Sequence, residues 1–275
     1  MPTPDIAIYV SANCFPPSED DQLLADAIGS LGLEAEVRIW DRPDDDPARV
    51  SIVRSTWDYV PRIEQFSAWL QETAKSSRLM NPLEAQRLCL DKRYLLGMRE
   101  AGVPVPPTEL VETPDRIASV AEARGWTDVV VKGLLSSGGR QIIRHQTRET
   151  HAPHFDGPFL VQPYLQGIQQ GEYSCIGVAG EVSHCVVKHA APGEFRVQDH
   201  YGGTVEAVPP PDDVVAVSLE ALASLGVEHD YGRIDIVVHE GAAMVMEVEL
   251  VEPDLFLRCD HAAADRLAAA AARHL

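Results

Sequence analysis

Residues 231–255 read YGRIDIVVHEGAAMVMEVELVEPDL, and the fold and the chemistry both turn on them. Ile234 to Val238 is one β-run and Met244 to Leu250 is a second, with the turn residues His239-Glu240-Gly241 between them. Side chains alternate along a strand, so Arg233 and Asp235 share one face, as do Glu247 and Glu249. A turn centred on Gly241 sets Asp235 opposite Glu247. Opposed Cβ atoms lie about 5 Å apart, and like charges that close are destabilising unless a cation sits between them. Several carboxylate oxygens converging suit Mg²⁺, which also takes substrate phosphates as ligands. The competing reading is a solvated acidic face. Against it, the two glutamates interrupt an otherwise apolar strand beside Arg233.

The chain has 275 residues, 45% hydrophobic, enough for a large core or for two or three small domains. A net charge of −19 argues against nucleic acid or an anionic membrane surface as partner. No apolar run approaches a membrane span, and residues 1–10 lack the pattern of a signal peptide. Five scattered cysteines without metal-ligand spacing fit a reducing cytoplasm. Four of the 23 basic residues are lysines, at 75, 92, 132 and 188. An ammonium is a compact point charge suited to phosphate oxygens.

From the N-terminus, strands over 5–10, 33–40 and 50–53 alternate with helices over 18–31 and 63–74, which implies a small parallel sheet. Arg54, Ser55, Thr56, Trp57, Asp58 and Tyr59 follow the third strand, at the carboxyl end, where open α/β sheets bind ligands. A structural loop with one buried Trp is the equal alternative. A helix from Asn81-Pro82 runs through Lys92 to Ala101, and the extended Val103–Thr108 reads as a linker. Next come a helix over 115–123, a strand over 128–132 and the Gly-rich Leu134–Arg140, flanked by a strand over 141–144. Such a loop can cradle phosphates, though it is neither a Walker A nor a G-x-G-x-x-G motif. Pro158 to Leu165 is a strand, and 173–177 with 182–188 a hairpin. Phe195 to Gly203 is a polar loop, and helices cover 212–225 and 262–275.

This order of parts resembles the ATP-grasp ligases: Asp91-Lys92 on a helix, Lys132 before a Gly-rich loop, the strand 162–165, Gly171-Glu172, Arg196, then Arg233-x-Asp235 with Glu247-x-Glu249. Arg54 to Tyr59, Asn81-Pro82 and Glu247 to Pro253 resemble the branch that includes the cycloserine-forming cyclo-ligase. The resemblance implies an ATP-grasp fold: an N-terminal parallel-sheet domain over 1–88, a central α+β subdomain with the flap over 89–162, and a C-terminal one with the metal site over 163–275. It implies phosphate contacts from Lys92, Lys132 and Lys188, and a flap at Ser136, Ser137, Gly138 and Gly139. Adenine would meet Gln162, Pro163, Tyr164 and Leu165, and Glu172 the ribose. One or two Mg²⁺ ions would sit on Asp235, Glu247 and Glu249. Arg233 and Arg196 would serve catalysis, and Arg54, Ser55, Thr56 and Asp58 the substrate. Glu249 stands where many relatives have Asn, and Asp254 where a small neutral residue is expected.

The implied reaction turns a small amino-acid-like carboxylate into an acylphosphate, releases ADP, and joins the acyl group to an amine of another or the same molecule. Small-molecule carboxylate and amine substrates and a homodimer complete the expectation. A nucleotide-binding protein without chemistry would lack a carboxylate or a lysine of this set, and none is lacking. A metal-dependent hydrolase that needs no nucleotide is the other rival.

Overall fold

The computed structural model describes residues 3–43, 46–139, 141–147 and 157–275. Arg140, at the end of the Gly-rich loop, lies outside them. The first layer runs β1 (Ile6–Val10), α1 (Glu19–Ser30), β2 (Ala35–Ile39), β3 (Val50–Val53), α2 (Ile63–Ser76) and β4 (Arg78–Leu79). Its strands form a parallel sheet in the order β2-β1-β3-β4. Ser18 caps α1 by accepting the Asp21 N–H, and three acids fill the first turn, where the helix dipole favours them.

Helices α3 (Leu83–Cys89) and α4 (Tyr94–Glu100) lead into the second layer. The sequence suggested one helix here. The structure breaks it around Asp91, whose carboxylate accepts the Arg93 N–H at 2.9 Å and so starts a new turn. Lys92 sits in the break. The second layer contains β5 (Glu109–Val111), α5 (Ile117–Arg124), β6 (Asp128–Gly133), β7 (Ile142–Gln146) and β8 (Phe159–Pro163), in the antiparallel order β5-β8-β6-β7.

The third layer is an antiparallel sheet in the order β11-β10-β9-β12-β13. Its strands are β9 (Glu172–Val178), β10 (Glu181–His189), β11 (Thr204–Ala207), β12 (Tyr231–His239) and β13 (Ala242–Glu249), with α6 (Asp212–Ser224) before β12 and α7 (His261–Ala272) last. The edge strand β11 was not anticipated from sequence. Ile234, Ile236, Val245 and Val248 turn towards Leu222 of α6 and Leu95 of α4. On α7, Ala263, Ala264, Ala268 and Ala271 join Leu24 and Ile28 of α1 and Tyr231 of β12 in one core, so the first and third layers are packed together. No helix among the described residues is long and apolar enough to cross a membrane.

Candidate active site

Asp235 does lie opposite Glu247, and Arg233 opposite Glu249, but by a route the sequence did not announce. The turn is a two-residue one, Glu240-Gly241, both with positive φ, and it pairs His239 with Ala242. Continued regularly, that register would set Asp235 against Met246 and turn both glutamates to the other face of the sheet. A bulge at Met246 absorbs one residue instead. Val245 and Val248, three apart, then both enter the core. Glu247 and Glu249 reach the face that carries Asp235.

Oxygens of Asp235, Glu247 and Glu249 lie within 4.8 Å of one another. Cations separate them. Arg233 donates to Asp235 at 3.0 Å and to Glu249 at 2.7 Å. Lys188 lies 3.2 Å from Asp235 and 2.6 Å from Glu172. Lys92 bonds Glu247 directly and the Ser136 carbonyl at 3.2 Å. Burial would raise the Asp235 pKa, but the charges of Arg233 and Lys188 hold it well below the usual carboxylate range. Glu249 goes the other way: burial, with the charge of Glu247, pushes it up to about 8 against the pull of Arg233. The donor set fits a hard divalent cation held by carboxylates and substrate oxygens.

Two cavities meet at Glu247, which lines both. The first is lined by Lys132, Gln162, Pro163, Tyr164, Leu165, Glu172 and Arg196, with Val130, Ile142, Ile168 and Met246 as apolar walls. Lys132 donates to the carbonyl of the bulged Met246 at 3.3 Å, and burial pushes its pKa down. Gln162 spends its amide N–H₂ on Thr108 at 2.9 Å, leaving its buried carbonyl oxygen without a partner. A buried acceptor left unpaired costs about 1–3 kcal/mol, so this oxygen suits a donor such as an exocyclic amine of a nucleobase. Arg196 is engaged by Glu194 at 2.7 Å, lies over the Tyr201 ring and lines the cavity that Asp235 and Glu247 also border.

The second cavity, of about 210 Å³, takes in Lys92, Lys188, Arg233, Glu249 and all four flap residues, Ser136 to Gly139. Gly138 and Gly139 both have positive φ. A Cβ on Gly139 would stand 2.8 Å from the Gln198 side chain, so glycine lets the flap meet the loop 195–203. Ser137 donates to Glu252 at 3.2 Å and ties the flap to the end of the acidic hairpin.

The first-layer cluster requires a correction. Arg54, Ser55 and Thr56 are at most 1% exposed and line neither cavity. Arg54 donates to the Pro253 carbonyl at 2.5 Å and lies 3.3 Å from Asp21 of α1, which also accepts from Ser55. Asp58 is taken by Trp40 and Arg62. Trp57, which the alternative of a structural loop would bury, is the member that faces the cavity, 38% exposed, with its N–H on the Glu252 carbonyl. Sequence reasoning also passed over Ser174, which bonds Asp235. Alternation from Glu172 would have placed Ser174 on the same face. Asp254 and Arg258 complete the wall of the second cavity.

Comparison with known proteins agrees with this fold. Residues 91–255 match the model of the RimK-like ATP-grasp domain, and residues 6–81 that of the N-terminal domain of D-cycloserine synthetase DcsG. The chain is 30% identical to the cycloserine biosynthesis protein DcsG of Streptomyces lavendulae, over 98% of both chains. It superposes on the crystal structure of D-cycloserine synthetase DcsG with a TM-score of 0.87 at 27% identity, covering 98% of this chain and 99% of that one. The ATP-grasp ligase PsnB, solved with a precursor variant, Mg and ADP, shares the fold at a TM-score of 0.69 and 16% identity, over 98% of both chains.

Proposed function

This chain belongs to the RimK-like ATP-grasp family and is an ATP-dependent carboxylate–amine ligase, and we propose that it activates a small amino-acid-like carboxylate as an acylphosphate with release of ADP. The observation that carries this is Glu247, a member of the three-carboxylate set that lines both cavities. A nucleotide in the first cavity and a carboxylate in the second would meet there.

The division of labour follows. Residues 1–88 support the substrate side, 89–162 the flap and nucleotide, and 163–275 the metal face. The apolar walls and the Gln162 carbonyl take adenine, with Pro163, Tyr164 and Leu165 beside it. Glu172 takes the ribose. Lys92, Lys132 and Lys188 turn from their carboxylates and carbonyls to phosphate oxygens. Asp235, Glu247 and Glu249 would hold one or two Mg²⁺ ions, whose charge when bound would let two anions approach. Arg233 then faces the oxygen on which charge develops as the amine attacks. The flap and the loop carrying Gln198 keep water from the acylphosphate. Arg196 lines the nucleotide cavity beside Asp235 and Glu247.

The match of residues 6–81 to the DcsG N-terminal domain favours a second, narrower reading, in which carboxylate and amine belong to one molecule and the product is a ring. Both readings are tested by incubating the protein with MgATP and α-amino acids bearing ureido, hydroxylamino or carboxamide side chains. ADP and phosphate in step with product are expected. AMP as the stoichiometric product refutes the acylphosphate route, and product whose mass joins two molecules refutes cyclisation.

A further inference from the structure

When a nitrogen attacks an acylphosphate, its lone pair forms the C–N bond. The acyl C–O bond breaks and its electron pair leaves on phosphate. The nitrogen is left with one proton too many, and a base must take it. On the wall of the second cavity, Lys92, Lys188, Arg233 and Arg258 cannot, since each is a cation held on a carboxylate. Glu247 and Glu249 belong to the candidate metal set, and Arg258 bonds both oxygens of Asp254. Asp199 accepts the His200 backbone N–H at 2.7 Å, and its side chain is 86% exposed. Among the described residues on this wall, His200 is the ionisable group that remains.

Its surroundings suit the task. Residues 199–201 form a 3-10 turn, closed by the Gly202 N–H on the Asp199 carbonyl at 2.7 Å. The imidazole packs on the Tyr201 ring, 4.3 Å between centroids, and the Arg196 guanidinium, held by Glu194, lies 3.6 Å from that ring. Nδ1 is 3.5 Å from the Asp199 carboxylate, which favours the tautomer protonated there and leaves the lone pair on Nε2. No hydrogen bond to another described residue engages Nε2. A Cβ on Gly138 would stand 3.6 Å from Cε1, the ring carbon beside Nε2, so this edge of the ring faces the flap. We propose that His200 is the general base of the second half-reaction. Nε2 takes the N–H proton as the nitrogen attacks and passes it to the departing phosphate or to water, with Asp199 and Tyr201 as positioning residues. This rests on the ligase reading above. His200 has no part in the first half-reaction, the transfer of the γ-phosphoryl group to the substrate carboxylate.

The test separates the two half-reactions, using the full chain with MgATP and the member of the panel above that releases most ADP. Hydroxylamine in excess is an unprotonated nucleophile at neutral pH. It captures an acylphosphate as a hydroxamate and loses its own proton to bulk water. His200→Gln should lower turnover to amide product at least about a hundredfold. Hydroxamate formation by the same variant should stay within twofold of wild type. His200→Ala should gain at least about fivefold in amide turnover when free imidazole is added, and wild type should gain nothing. Amide turnover of His200→Gln within threefold of wild type overturns the proposal. So does an equal fall in amide and hydroxamate, since a turn that merely holds the flap in place would act on both steps. No ADP from any member of the panel overturns the ligase reading itself. That outcome is distinct from a His200→Gln protein that releases ADP and forms amide at the wild-type rate.

Discussion

Arg54 and Arg233 are both arginines buried beside an aspartate, at 1% and 9% exposure. Their surroundings differ. Arg54 meets Asp21, which arrives from α1 and is also bonded by Ser18 and Ser55. Its remaining reach goes to a carbonyl, and it borders neither cavity. Arg233 meets Asp235 on its own strand and Glu249 on the next, and it lines a cavity. A buried ion pair closed on every side is a strut. It adds little over a well-packed apolar pair, yet breaking it is costly. A buried pair open on one side is a store of charge that a metal ion and phosphates can re-partner. Both are buried guanidinium–carboxylate pairs, though Arg233 is the more fully hydrogen-bonded of the two, so the open side is what separates structure from function.

The largest expected effect is at the open pair. Asp235→Asn should lower turnover at least about a thousandfold, roughly 4 kcal/mol of transition-state stabilisation. Crowding of like charges, read from the sequence alone, would make this variant melt at or above wild type without metal. The structure reverses that expectation. Arg233, Lys188 and Ser174 all point at Asp235, so removing its charge leaves two buried cations without it. Metal-free Asp235→Asn should melt lower than wild type. A higher melting temperature in a calorimetric scan would restore the crowding view, and near-normal turnover in millimolar Mg²⁺ would remove Asp235 from the site.

The closed pair comes next. Arg54→Ala strands Asp21 and the Pro253 carbonyl, and losing one partner of a buried pair costs about 3–5 kcal/mol. The melting temperature should fall, and substrate and ATP should weaken together because Pro253 belongs to the segment that ends the acidic hairpin. A tenfold rise in substrate KM alone, at unchanged melting temperature and ATP affinity, would make Arg54 a ligand contact after all and erase the distinction between the pairs.

Alternation carried much of what was legible. Arg233, Asp235, Glu247 and Glu249 could be set on one face because strand period is a local property. The bulge at Met246 could not be foreseen, because it answers to whether Val245 and Val248 both reach the core beneath α6. The break at Asp91 was readable, since an aspartate at that place is an N-cap signal. The strut at Arg54 was not. Its partner is 33 positions away, and no local pattern ties Asp21 to it. A buried Arg and a ligand-binding Arg look alike until the partner from another element is known.

Trp57 sits where the two regions touch, and it carries the smallest expected effect. It belongs to the buried cluster by sequence, yet it faces the substrate cavity and donates to the Glu252 carbonyl at 3.0 Å. Trp57→Phe keeps an aromatic wall but removes that hydrogen bond, a loss of about 1 kcal/mol. In a chain of this size that corresponds to roughly 2–4 °C in melting temperature. Glu252 also receives the Ser137 hydroxyl from the flap, so a shift there should disturb the substrate side first. Substrate KM should rise by roughly two- to fivefold, within the reach of about 1 kcal/mol. ATP affinity should not move, because Trp57 does not line the nucleotide cavity. The three quantities separate the roles a single residue can hold. A drop in melting temperature with both affinities intact would move Trp57 to the strut side. A fall in ATP affinity equal to that for substrate would mean the cavities communicate through the flap, and the line between the two regions would have to be redrawn at Ser137.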